Sequence, residues 1–270
     1  MSGEWPIVAG AVALPPMDGA LDAIWNTLLD LAERLGDTRW TLVGGQMVFL
    51  HASEHNLDPP RVSTDIETAV DVRADPKAIR KLFAVLADLG FTDVGVSPEG
   101  YEHRFEKVTN RVVAVVDVGG SASETAVVDI LSPEGLSHRT DTRTSQGRAF
   151  PSPGASQALH RSELVGVSYG RRTGWIPRPG LLGAIVGKAT AATVDGVGAE
   201  RHLTDLAFLL SLVDDPFALQ PEVTSKDRAR LQAAAELLPD ESPTWNIAPS
   251  PNNDARAALH ILMSVPGSGR

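Results

Sequence analysis

Apolar residues recur at helical spacing from Asp22 to Leu35 (Ile24, Leu28, Leu31, Ala32, Leu35) and stop at Gly36, which predicts an amphipathic helix. Trp40 to Val43 reads as a short strand ending in Gly44-Gly45, and Gln46 to His55 as a helix. Thr64 to Val72 alternates polar and apolar positions and predicts a strand. Asp75-Pro76 opens a helix that runs to Leu89 and stops at Gly90; proline in the first turn gives up an N–H that has no partner there anyway. Tyr101 to Val108 and Arg111 to Val118 are strand candidates joined by Thr109-Asn110, and Thr125 to Leu131 is another, closed by Ser132-Pro133.

From Ser137 to Ala158 the chain is rich in Gly, Ser, Thr and Pro and lacks periodicity, which predicts loop with a domain boundary inside it. Glu163 to Ile176 reads as a hairpin. Helical patterns then cover Leu181 to Val194, Glu200 to Val213, Ser225 to Leu238 and Asp254 to Met263. The pattern predicts an α+β chain: residues 1–150 form a mixed sheet of about five strands flanked by helices, and residues 151–270 form a mainly helical C-terminal domain.

Composition narrows the chemistry. The 270 residues include no cysteine, which excludes a disulfide scaffold, a Cys-ligated metal and a thiol nucleophile. The apolar run Ile7 to Leu14 is too short to span a bilayer, and no Lys or Arg precedes Arg34, so a cytoplasmic chain is expected. Net charge is −10, against a general nucleic-acid coat protein. The charge is uneven: the balance is −11 over residues 1–134 and +4 over residues 135–205. Such a division suits metal on one side of a site and phosphate on the other, although chance variation gives the same pattern.

Gly44-Gly45 lies between a strand and a helix, where glycine lets the backbone approach a ligand and the helix start offers N–H groups to phosphate. Asp65, Glu67 and Asp71 share one strand face. Two carboxylates at i and i+2 can share a divalent cation, or they are the solvated face of an ordinary strand. Asp129 interrupts the apolar run Ala126 to Leu131 and needs a partner if buried; Asp117, in a similar run, competes for the role. Lys188 lies just off the apolar face of its predicted helix. Arg201 and Asp205 are spaced to pair on one helix or to serve a site. His51 and His55 lack a third ligand and read as surface or loop-packing residues. The arginines Arg161, Arg171, Arg172 and Arg178 form a strip that can contact phosphates, with an ordinary solvated face as the default reading.

The order of these features resembles the nucleotidyltransferase fold of the DNA polymerase β superfamily, and more closely the AbiEii-type nucleotidyltransferases, toxins of AbiE systems that include the MenT toxins. The resemblance rests on Arg61-Val62-Ser63-Thr64-Asp65-Ile66-Glu67, on Asp129-Ile130-Leu131-Ser132-Pro133, on the helix carrying Lys188, and on Arg201-His202-Leu203-Thr204-Asp205-Leu206. It covers about residues 20–215. The turn is Gly-Gly where Gly-Ser is commoner, and the acidic pair ends in Glu.

The resemblance implies that Asp65, Glu67 and Asp129 hold Mg²⁺. It implies that Gly44, Gly45, Thr64, Lys188 and Arg201 contact the nucleotide, and that Asp205 orients nucleotide or acceptor. The implied reaction moves a nucleoside monophosphate from an NTP to an acceptor hydroxyl. The implied acceptor is an RNA 3′ end, tRNA among the candidates, and the implied partner is a cognate antitoxin. A small-molecule nucleotidyltransferase of the aminoglycoside-modifying type, or a nucleotide-binding module with little activity, is the alternative.

Overall fold

The computed structural model describes residues 5–109, 124–137, 140–196, 198–247 and 254–265. In chain order, strand β1 (Ile7–Ala13) leads to helix α1 (Gly19–Leu35), strand β2 (Trp40–Val43), helix α2 (Gly44–Glu54), strand β3 (Asp65–Val70) and helix α3 (Ala78–Asp88). Strands β4 (Thr92–Asp93), β5 (Arg104–Thr109), β6 (Glu124–Pro133) and β7 (Phe150–Ser152) follow. Helix α4 (Ala155–His160) precedes the hairpin of β8 (Ser162–Tyr169) and β9 (Arg172–Pro179). Helices α5 (Leu181–Val194), α6 (Ala199–Ser211), α7 (Pro216–Leu219), α8 (Ser225–Leu237) and α9 (Ala255–Met263) close the chain.

One sheet has the order β2-β3-β6-β5-β4, with β7 also pairing β6. Strands β3 and β6 run parallel, while β2 pairs β3 and β5 pairs β6 antiparallel. This mixed sheet carries Asp65, Glu67 and Asp129. A second sheet has the order β1-β8-β9. The apolar run that opens the chain is therefore an edge strand, laid parallel against the hairpin at residues 162–179. The Ser162 hydroxyl donates to Thr41 Oγ1 at 2.7 Å and ties β8 to β2.

The helical patterns of the sequence become helices with ends moved by up to three residues; α3 starts at Ala78, so Asp75-Pro76 lies in the turn before it and not in its first turn. Helix α1 buries Ile24, Trp25, Leu28, Leu31 and Leu35, the stripe its periodicity predicts, and ends at Gly36 with φ +49°. Helix α5 is buried on almost every side, as its nearly all-apolar sequence requires, and it packs on α6, α8 and α2. Helix α8 starts with a reciprocal capping box between Thr224 and Asp227.

Two expectations change and a third is not tested. The stretch expected to be loop contains β7 and α4, two elements too short to produce a periodic signal. The strand expected from Tyr101 begins only at Arg104, because the Glu102 carboxylate turns aside to accept from Ser145 Oγ, Gln146 N and Gly147 N. The strand expected at Arg111 to Val118, with Asp117, lies outside the described residues. Among the described residues no helix is long and apolar enough to cross a membrane.

Candidate active site

Strand β3 sets out the carboxylates. Its register places Glu67 opposite Val43 on one side and opposite Asp129 on the other. Parallel partners lie about 5 Å apart, and residues two apart on a strand share a face, so Asp65, Glu67 and Asp129 line one face of the sheet. Asp71 falls past the end of β3. It caps the turn through the Arg73 and Ala74 amides and takes no part in the site.

The Gly-Gly turn is shaped by these acids. Helix α2 starts at Gly44, whose φ is +71°, a region that disfavours other residues. A Cβ on Gly44 would lie 2.6 Å from Glu67 Cδ and Oε2. A Cβ on Gly45 would lie 2.4 Å from the Ser63 Cβ and 2.5 Å from its Oγ. The glycines thus let the start of α2 close directly beneath Glu67 and Ser63. Ser63 in turn donates its hydroxyl to Asp65 Oδ1 at 2.5 Å. Thr64, its neighbour, is exposed.

Burial raises the Glu67 carboxyl above the ordinary carboxylate range; Lys188 opposes the shift, and Asp65 and Asp129 add to it. Among the described residues none donates a hydrogen bond to the Glu67 carboxylate. A half-buried carboxylate among like charges is chemistry that suits a bound cation. Asp65 and Glu67 supply the one or two carboxylates that Mg²⁺ takes when phosphate oxygens complete its shell. Asp129 stands differently. Arg104, its partner across the β5–β6 register, donates Nε to Oδ1 at 2.9 Å and Nη2 to Oδ2 at 2.7 Å. Both Asp129 oxygens are therefore engaged. Among the described residues no group of three or more His, Asp or Glu is arranged to hold a metal ion.

The helices of the second half bring a cationic group to the same place. Asp205 on α6 is fully buried and accepts from Arg61 Nε at 3.0 Å and Arg61 Nη2 at 2.7 Å. Lys188 Nζ on α5 lies 2.7 Å from Asp205 Oδ2. Of the two readings of Arg201 and Asp205, the i, i+4 pair is not formed: Arg201 reaches Asp195 at 2.9 Å, and Asp205 spends its oxygens on Arg61 and Lys188. Glu67 and Lys188 both line a narrow slot of about 70 Å³, with Gly44, Met47, Leu131 and His202 also in its walls.

Several residues escaped sequence reasoning. Arg104 is legible only once the strand register is known. His202, inside the motif quoted above, is 7% exposed, and burial beside Lys188 lowers its pKa to about 4. His51 is fully buried on α2 against Arg178, not at the surface. Arg178 itself is a buried cation between Glu54 and Glu163, and Arg161 and Arg172 pair with Asp227 and Asp30, so the supposed arginine face is mostly internal wiring.

No family model matches the chain, and no curated protein matches it. Among solved structures, it is similar to an antigenic nucleotidyltransferase-like protein from Paracoccidioides brasiliensis, at 14% identity and a TM-score of 0.50. The match covers 84% of this chain and 94% of that one. The chain has a nucleotidyltransferase-like α+β fold with a helical C-terminal region.

Proposed function

We propose that the protein is a Mg²⁺-dependent nucleotidyltransferase that moves a nucleoside monophosphate from an NTP to an acceptor hydroxyl. One observation carries the reading: Asp65 and Glu67 share a sheet face beside Asp129, above the glycine start of α2 and next to the buried Lys188. The fold likeness supports the same class of reaction.

Asp65 and Glu67 would hold the metal, with Asp129 joining if Arg104 releases it. Bound Mg²⁺ would supply charge neutralisation for the triphosphate and for the oxygens that attack and leave. The α2 amides at Gly44 and Gly45 orient phosphate through their N–H groups. Lys188, held by Asp205, keeps a fixed positive charge at the slot. Arg61 reaches the same acid from the loop before β3 and fixes that loop against α6. In the reaction the acceptor oxygen bonds to the α-phosphorus, the bond from that phosphorus to the β-bridging oxygen breaks, pyrophosphate leaves, and the hydroxyl proton passes to solvent.

The finer reading is an AbiEii-like toxin whose acceptor is an RNA 3′ end and whose partner is an antitoxin. It is supported by the Arg61 to Glu67 motif and by the placing of Lys188 and Asp205 together. Calorimetric titration of each NTP with Mg²⁺ tests the core of the proposal. Binding that needs Mg²⁺ and is lost in Asp65→Ala supports it; binding indifferent to both removes the metal pair.

A further inference from the structure

Beyond the carboxylates, the same sheet face carries an aromatic side chain that lies outside the hydrophobic core. Strand β7 takes over from β5 as the neighbour of β6: Arg104 pairs with Asp129, and two residues on Phe150 pairs with Leu131. Pairing puts Phe150 on the face of Leu131 and Asp129, about 7 Å along the strand from the acid. Leu131 itself lines the slot shared with Glu67 and Lys188.

The Phe150 side chain is left open to solvent, with the residue 37% exposed, and it belongs to none of the hydrophobic clusters among the described residues. Its ring is nonetheless fixed. Tyr101 meets it edge-on at 5.2 Å and 74°, and His103 lies tilted at 5.3 Å. Arg148 stands 5.7 Å over the Tyr101 ring. An oriented, open ring on the face that carries the reacting acids is the arrangement that stacks a flat base.

We propose that Phe150, supported by Tyr101 and His103, is a shelf that stacks an unpaired nucleobase beside the Asp65–Glu67–Asp129 face. The choice of a nucleobase rests on the nucleotidyl-transfer reading. The base comes either from the 3′ end of an acceptor strand or from the incoming NTP, and the two sources separate by experiment.

The test uses the full chain with two probes. A fluorescein-labelled single-stranded RNA octamer of mixed sequence is followed by anisotropy, and the four NTPs with Mg²⁺ by calorimetry. The variants are Phe150→Leu, which keeps apolar bulk and loses the ring face, and Phe150→Trp, which keeps it; unfolding curves confirm that both are folded. The shelf predicts that Phe150→Leu weakens one probe by about fivefold to a hundredfold while Phe150→Trp binds like wild type. Loss of octamer binding identifies the acceptor base, and loss of NTP binding identifies the nucleotide base. Unchanged binding of both probes in Phe150→Leu, or no binding of either by wild type, overturns the shelf. Label transfer by wild type with no effect of Phe150→Leu sinks the shelf alone. Phe150-dependent octamer binding without any transfer keeps the shelf and sinks the transferase reading.

Discussion

Gly44 lies so close beneath Glu67 that a single added carbon on residue 44 would stand 2.6 Å from the carboxyl carbon of residue 67. The glycine and the acid are thus one structural unit, although they are remote in sequence. Gly44→Ala should lower stability by about 1–3 kcal/mol, through both its positive φ and the overlap, and should reduce NTP binding by moving Glu67. Gly36→Ala is the comparison, since φ there is +49° but nothing lies within 4 Å of the added carbon. Urea unfolding of both variants should show the larger loss at residue 44.

Asp205 answers two cations from full burial. Asp205→Leu leaves Lys188 buried without its partner and should cost about 3–5 kcal/mol. Arg61→Leu should cost less, because Arg61 is partly exposed and Lys188 still neutralises Asp205. An equal or reversed order in chemical unfolding would mean that Arg61, not Lys188, is the partner that matters.

Arg104 and a metal compete for Asp129 if the proposed function holds. Arg104→Ala should then tighten Mn²⁺ binding, measured by electron paramagnetic resonance of the free ion. Asp129→Asn should cancel the gain. Mn²⁺ affinity that is the same with and without Arg104 would leave Asp129 out of the metal site.

His202 gives the protein a slope with pH. In the folded chain it stays neutral down to about pH 4, whereas unfolded it takes up a proton near its ordinary value of 6.5. The folded pKa is depressed, so the His202 contribution is complete above pH 6.5 and is lost as pH falls from there towards 4. The loss is at most about 3 kcal/mol. His202→Gln should flatten that part of the stability profile; an unchanged slope would assign it to other groups.

Much of this was legible in the sequence, for identifiable reasons. Helices α1, α5, α6 and α8 follow an apolar repeat or an all-apolar run, and the β8–β9 hairpin follows its alternation. The acid pair was visible because alternation alone places Asp65 and Glu67 together. What alternation cannot supply is the neighbour across a strand: Arg104 opposite Asp129 and Phe150 beside Leu131 are products of register. The partner of Asp205 was not legible, because helical spacing offers only Arg201 while the fold delivers Arg61 from 144 residues away. Strand β1 was missed because its exposed edge leaves a plain apolar run without a repeat.

The most direct test of nucleotidyl transfer is incubation of the protein with Mg²⁺, total RNA and each α-labelled NTP in turn, with Asp65→Ala alongside. The site described above predicts label in RNA for wild type, dependent on Mg²⁺ and absent from Asp65→Ala. Label of equal intensity in Asp65→Ala, or no transfer to RNA or to any other acceptor together with no Mg²⁺-dependent NTP binding, would contradict it.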